Sequence, residues 1–346
     1  MKNLLFPWQN DAWRQLQQFG ERLPHAILFY GPEGIGKAEF AEHFAQALLC
    51  ERPDPEGHAC GQCSSCGWFA QYGHPDYRRV RPEALDEGEA AGEEDGTDGE
   101  DAPKAAKSTK APSKEIKIDQ IRALSDFMNV STHRQGRRVI FLYPAEALNA
   151  AAANALLKTL EEPPAGTVFL LVTNSLDRLL PTILSRCRKF PLPMPARDEA
   201  LAWLQSQGLD KAEDYLAQQG GAPIAAKGFA EAGMGEMLDE MLAHLAQPSL
   251  EGALKTAERL QKSPLPEIVA WQQRWLYDLF SFKLSGRIRY YSRYGKQLAA
   301  LSAKADERSL IEALKMASER RALASHPLSP RLVIEDMLLA YLKIFA

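Results

Sequence analysis

No apolar run in this chain approaches the ~20 residues that a helical bilayer span requires, which excludes a role as a helical membrane protein. Met1 to Asp11 carries a lysine, a tryptophan and a proline but no apolar stretch, unlike a secretory leader. A cytoplasmic location is the expectation. No repeat of fixed period is visible, and 346 residues predict two to three domains. With 45% hydrophobic and 25% charged residues the composition is that of an ordinary globular chain. Basic residues are missing from 86–101, where nine acids fall. The net charge of −4 therefore conceals a remainder of +5, mild enough to permit nucleic-acid contact without demanding it. Cysteine is scarce, five in all, yet four lie between Cys50 and Cys66. In a chain without a leader, such clustering points to metal rather than disulfides.

The run Ala26-Ile27-Leu28-Phe29-Tyr30 reads as a buried strand entering a loop, Gly31-Pro32-Glu33-Gly34-Ile35-Gly36-Lys37-Ala38. Phe40, Ala41, Phe44, Ala45, Leu48 and Leu49 then recur at helical spacing. Strand, glycine-rich loop and helix is the setting of a Walker A loop, G-x-x-x-x-G-K-[ST]. There the glycines let backbone N–H groups face phosphate oxygens, the lysine reaches the β/γ-phosphates and the hydroxyl ligates Mg²⁺. Gly31, Gly34, Gly36 and Lys37 are thus candidate phosphate ligands; Ala38 supplies no oxygen to a metal. A glycine-rich turn without a ligand stands open beside this reading, so ATP or ADP binding is undecided.

A P-loop NTPase also needs acids at the end of a second strand, one for Mg²⁺ and one for the attacking water. The second strand, Arg138 to Leu142, runs instead into Tyr143-Pro144-Ala145-Glu146. Tyr143 and Pro144 can do neither task, and Glu146 reads as an ordinary solvated glutamate. Two losses fall on one function, so no hydrolysis is expected. An active P-loop ATPase with unusual metal ligation is the alternative.

Cys60-Gly61-Gln62-Cys63-Ser64-Ser65-Cys66, with Cys50 ten positions earlier, offers four thiolates to one ion. A closed Cys₄ set suits structural Zn²⁺; an iron–sulfur cluster is the other occupant of four cysteines. His58 and His74 read as surface residues. A zinc deaminase would need H-x-E beside the cysteines and an open ligand position, and the sequence has neither.

Residues 83–115 are low in complexity, acidic and then lysine-bearing, and read as a disordered surface insertion. Helical spacing returns over Ile118 to Met128 and Ala150 to Leu160, the second stopped by Pro163-Pro164, and Thr167 to Val172 is a third strand. Alternating strands and helices predict an α/β domain with a parallel sheet over 1–192. Helical patterns alone follow, giving a small helical domain over 193–246 and a larger one over 247–346. Trp271, Trp275 and Phe280 mark helix packing rather than a ligand site.

Asn154-Ala155-Leu156-Leu157-Lys158-Thr159-Leu160-Glu161-Glu162-Pro163-Pro164 and Thr182-Ile183-Leu184-Ser185-Arg186-Cys187, in one chain with the cysteine knuckle after a P-loop helix, resemble bacterial clamp-loader subunits of the AAA+ class. The resemblance is strong over 1–192 and weaker beyond. It implies a RecA-like parallel sheet with helices on both faces, a helical lid and an all-α collar domain for oligomerisation. It implies a component of the DNA polymerase III holoenzyme, a nucleotidyltransferase complex, with no ATPase activity of its own. Such a member occupies a hetero-pentameric ring beside ATP-hydrolysing gamma/tau subunits and, across the ring's gap, the delta subunit. The ring loads the sliding clamp onto primed DNA. By the same resemblance Arg186 is an arginine finger supplied in trans to a neighbour's ATP. The family's motors place a second-domain arginine after the position of Gly221, where this chain has Ala222-Pro223-Ile224.

Overall fold

The computed structural model describes residues 5–90, 112–130, 132–133, 136–324 and 329–345. The chain divides into two compact units, Met1–Met194 and Pro195–Ala346.

In chain order the first unit contains α1 (Asn10–Gln17), β1 (Ala26–Tyr30), α2 (Lys37–Leu49), α3 (Ser64–Ala70), β2 (Tyr77–Val80), α4 (Glu83–Ala90), α5 (Ile118–Asn129), β3 (Arg138–Leu142), α6 (Ala150–Glu161), β4 (Thr167–Thr173), α7 (Pro181–Arg186) and β5 (Arg188–Pro191). The five strands form one parallel sheet in the order β2-β3-β4-β1-β5. A parallel sheet is covered on both faces, so its inner strands are apolar throughout. All residues of β3 and β4 are buried accordingly. On one face Leu28, Ile140, Leu142, Phe169 and Leu171 pack with Ile121, Leu124 and Met128 of α5 and Leu156 and Leu160 of α6. On the other, Phe29 meets Phe40, Phe44 and Phe190 at centroid distances of 5.6, 6.5 and 5.6 Å, and Trp13 of α1 closes over Phe40 and Phe44.

The two outer strands carry Arg78 and Arg79, and Arg188, Lys189 and Pro191; they have no apolar run to announce them. The charged insertion is structured at its flanks. Glu83–Ala90 is helical, and the Ser113 carbonyl accepts from the amide of Ala84 (3.1 Å) while the Ser113 amide donates to the Glu83 carboxylate (3.1 Å). Residues 91–111, where most of the expected disorder falls, lie outside the described residues.

The second unit is helical: α8 (Arg197–Ser206), α9 (Ala212–Gln218), α10 (Pro223–Glu231), α11 (Gly235–Ala246), α12 (Leu250–Leu260), α13 (Leu265–Ser285), α14 (Gly295–Lys304), α15 (Glu307–Leu323) and α16 (Pro330–Leu342). Ala200, Leu204, Ala212, Leu216 and Ala226 make a small core among α8, α9 and α10. A larger core surrounds α13, where Trp271 and Trp275 are fully buried. The Trp275 indole N–H donates to Tyr341 Oη (2.8 Å), whose hydroxyl donates to the Leu245 carbonyl at the end of α11 (2.8 Å).

Candidate functional site

The loop 31–38 joins β1 to α2, and its backbone has room or a conformation for glycine alone at three points, of which Gly34 (φ +75°) lies in the left-handed region. At Gly31 a Cβ would lie 2.0 Å from the Leu192 carbonyl oxygen, because the chain leaving β5 runs alongside and Leu192 N donates to Tyr30 O (2.8 Å). Gly36 caps α2 in the left-handed region (φ +84°), and a Cβ there would meet the Phe6 ring at 2.5 Å. The N-terminal segment holds the loop from above. The Trp8 indole donates to Ile35 O (2.9 Å) and the Gln9 amide to Gly36 O (2.7 Å).

Lys37 is buried, with its ammonium donating to Pro32 O (2.5 Å) and Asn174 Oδ1 (2.6 Å). Burial pushes its pKa down to about 8, against the opposing influence of Glu33, Glu146 and Glu39. The lysine therefore ties the loop to the end of β4. Sequence reasoning does not find Asn174; its one signal is a polar residue directly after a buried strand.

Glu146 corrects an expectation. It is half-buried rather than solvated, accepting from Thr173 Oγ1 (2.7 Å) and from the Asn174 amide (3.1 Å). Both carboxylate oxygens brace the turn that presents Asn174 to Lys37. Tyr143 stands where a metal-holding acid would stand; burial raises its phenol pKa, and Asn174 is its hydrogen-bonding neighbour.

Cys50 follows the end of α2, and Cys60, Cys63 and Cys66 surround the start of α3, where Cys63 is the N-cap. The four Sγ atoms all lie within 4.8 Å of one another, with Cys50 and Cys63 3.9 Å apart. Tetrahedral Zn–S bonds of about 2.3 Å put sulfurs about 3.8 Å apart, so the cluster fits such an ion. Backbone amides of Cys60, Cys63 and Cys66 donate to the sulfurs of Cys50 (3.2 Å), Cys60 (3.4 Å) and Cys63 (3.4 Å). Amides of Gln62 and Cys63 pull the Cys60 thiol down to about 6, whereas burial raises Cys50 and Cys66. Four cysteines this close can hold a metal ion.

The two nearby histidines are packed, contrary to a surface reading. His74 is buried; its Nε2 meets Ser65 Oγ (2.8 Å) and its Nδ1 accepts from the Asp76 amide (3.0 Å). Since Ser65 Oγ donates to Leu49 O (2.5 Å), the proton on His74 belongs on Nε2. His58 stacks on Trp13 at 4.6 Å and meets His43 Nε2 through its Nδ1 (2.9 Å). These contacts seat the cysteine loop on α1 and α2.

Arg186 ends α7, half-exposed. Its guanidinium donates to Thr182 O (2.9 Å) through Nη1 and to Glu161 Oε1 (2.5 Å) through Nη2. Glu161, the last residue of α6, is a partner with no signal in the sequence. Cys187 next to Arg186 is buried, which pushes its thiol up to about 12 and leaves it a packing residue. The turn thus anchors one side chain inward and presents its neighbour outward. At the start of α10, Ala222, Pro223 and Ile224 bring no cation.

A five-stranded parallel sheet covered by helices, with a glycine-rich loop between β1 and α2 and an all-helical part after it, defines an α/β domain with a P-loop-like turn followed by helices. Residues 8–196 match the family described as DNA polymerase III, delta subunit. The chain is 35% identical over 287 residues to DNA polymerase III subunit delta' of Pseudomonas aeruginosa, covering 81% of this chain and 79% of that protein. It is 28% identical over 325 residues to the subunit delta' of Haemophilus influenzae, covering 92% and 90%. A DNA polymerase III gamma subunit-related protein of Thermotoga maritima aligns over 98% of this chain and 100% of its own, at 17% identity and a TM-score of 0.45. The chain belongs to the DNA polymerase III delta subunit family.

Proposed function

We propose that this chain is a non-hydrolysing clamp-loader subunit of the DNA polymerase III holoenzyme, in the delta-prime role. It stands beside gamma/tau and delta subunits in a pentameric ring that loads the sliding clamp onto primed DNA. Its part in catalysis is Arg186, completing the ATP site of a neighbouring gamma/tau subunit from outside. The observation that carries this reading is the neighbourhood of Lys37. Ala38 offers no hydroxyl, Tyr143 is a half-buried phenol, and Glu146 has both oxygens engaged by Thr173 and Asn174. None of these three positions offers a free carboxylate to hold Mg²⁺ or to activate water.

Arg186 suits a role in trans because its contacts lie on α6 and α7 rather than on its own chain's phosphate loop. An arginine finger is worth about 10³–10⁵ in rate where it reaches a γ-phosphate. Cys50, Cys60, Cys63 and Cys66 would hold a structural Zn²⁺, which binds the end of α2 to the start of α3 and performs no chemistry. Residues 247–346 serve as the oligomerising collar, 193–246 as a lid, and the complex is cytoplasmic.

The test is reconstitution with the host's gamma/tau and delta subunits. Arg186→Ala should fold and assemble normally while DNA-stimulated ATPase of the complex falls by about tenfold or more. An unchanged rate refutes the finger. The intact Lys37 favours a second reading, an active ATPase; turnover by the purified chain that Lys37→Ala abolishes would establish it over the first.

A further inference from the structure

The segment joining α13 to α14 departs from the rest of the chain in charge. Lys283 to Lys296 contains Lys283, Arg287, Arg289, Arg293 and Lys296, three tyrosines and no acid, in a chain of net charge −4. Its backbone is fixed by one side chain. Asp278, fully buried in α13, accepts from the successive amides of Arg289 (2.8 Å), Tyr290 (3.0 Å) and Tyr291 (2.8 Å). A carboxylate holding several amide N–H groups is a strong anchor, so the loop displays its side chains from a set backbone. Tyr291 turns inward, its hydroxyl donating to Trp271 O (3.2 Å). Lys283 donates to Ser302 O (3.1 Å) and Arg293 pairs with Asp214 (3.3 Å).

The remaining cations face water. Arg287, Arg289 and Lys296 are exposed. The Arg289 guanidinium lies 5.5 Å from the Tyr290 ring centre, and Tyr290 meets the 40% exposed Tyr277 edge-on at 5.6 Å. Asp278 and Tyr291 have a structural account. Clustered exposed cations do not, since like charges this close in sequence repel and weaken the fold. Exposed cations beside an accessible aromatic ring, Tyr277, match a strand of phosphates carrying unstacked bases. An acidic protein surface would use the cations and leave the ring idle; a duplex would keep its bases from it.

We infer that the α13–α14 loop, with the adjoining face of α13, binds single-stranded nucleic acid, with Arg287, Arg289 and Lys296 on backbone phosphates and the exposed Tyr277, braced by Tyr290, offered to a base. The assay is fluorescence anisotropy of a labelled oligodeoxythymidylate with the purified full-length chain, across a salt titration. Arg287→Glu/Arg289→Glu should weaken binding about tenfold or more and reduce the salt slope by about 0.7 for each phosphate no longer neutralised. Lys262→Glu/Lys315→Glu, an equal charge change at exposed sites of the same unit, should leave both unchanged. Lys296→Glu, on α14 away from the Asp278-bound amides, should act in the same direction as the loop pair. Tyr277→Ala should weaken the single strand and not a duplex of the same length. The inference is overturned if the wild-type chain shows no binding, if both double variants lose affinity equally, or if a duplex binds as tightly as the single strand.

Discussion

Glu146→Ala distinguishes a braced residue from a solvated one. A surface acid free of partners is replaced at a cost within about 0.5 kcal/mol. Glu146 instead receives the Thr173 hydroxyl at 2.7 Å and the Asn174 amide at 3.1 Å. Hydrogen bonds to a charged acceptor contribute about 1.5–3 kcal/mol each when their loss strands the donor. Two corrections reduce the sum. Thr173 Oγ1 also lies 3.1 Å from Ser175 O and can donate there instead, and Glu146 is half-buried, so water reaches part of the vacated space. One bond at the lower end and one mostly replaced leave about 2 kcal/mol. With a urea slope of about 2 kcal/mol/M, the unfolding midpoint of the first unit should fall by about 1 M. Amide exchange should accelerate most at Asn174. Glu146→Gln, which keeps an acceptor but loses the charge, should cost about half as much. A midpoint for Glu146→Ala within experimental error of wild type would refute the brace and return Glu146 to an ordinary surface acid.

Other consequences follow from the same geometry. Metal analysis of the purified chain should find about one zinc, absent from Cys63→Ser; a chain with none, or with visible absorption from an iron–sulfur cluster, sinks the assignment. Lys37 titrates at about 8 in the fold, below its unfolded value, so between the two the unfolded chain binds more protons and wild-type stability rises with pH. Lys37→Met should lack that rise; urea midpoints on either side of pH ~8 that change in parallel for both proteins would contradict it. Tyr341→Phe leaves the buried Trp275 N–H and the Leu245 carbonyl without their 2.8 Å partners, at about 2–4 kcal/mol, and a thermal melt unaltered by the substitution would show those bonds to be unimportant.

The inner strands were legible because both faces of a parallel sheet are covered. Ala26–Tyr30, Arg138–Leu142 and Thr167–Thr173 therefore stand out as apolar runs. Tyr77–Val80 and Arg188–Pro191 are edges, with one side unpaired and charged residues along them, so no run marks them. The same division holds for the sites. The glycine loop and the cysteine knuckle are set by local spacing and could be read directly. Asn174 lies 137 positions from Lys37, and Glu161 lies 25 from Arg186; only the sheet's crossovers bring those pairs together. His58 and His74 look polar in sequence, but Trp13, His43 and Ser65 reach them from other elements.

The loop at 31–38 combines missing metal ligands with intact glycines and lysine, and the structure gives the intact residues work that no nucleotide is needed to explain. Gly31 admits the Leu192 carbonyl, and any side chain there would push β5 from β1. Gly36 admits the Phe6 ring and starts α2 in a left-handed cap. Lys37 bonds Pro32 and Asn174 and so joins the loop to β4. Ala38 and Tyr143, by contrast, occupy positions whose polar groups in a working P-loop enzyme serve only an ion and a water. Replacing Gly31 or Gly36, or removing Lys37, would disturb the packing of the loop against β5, Phe6 and the end of β4. A loop whose glycines and lysine have such packing and hydrogen-bonding roles is consistent with the proposed non-hydrolysing subunit, whose contribution through Arg186 is to a neighbour's site.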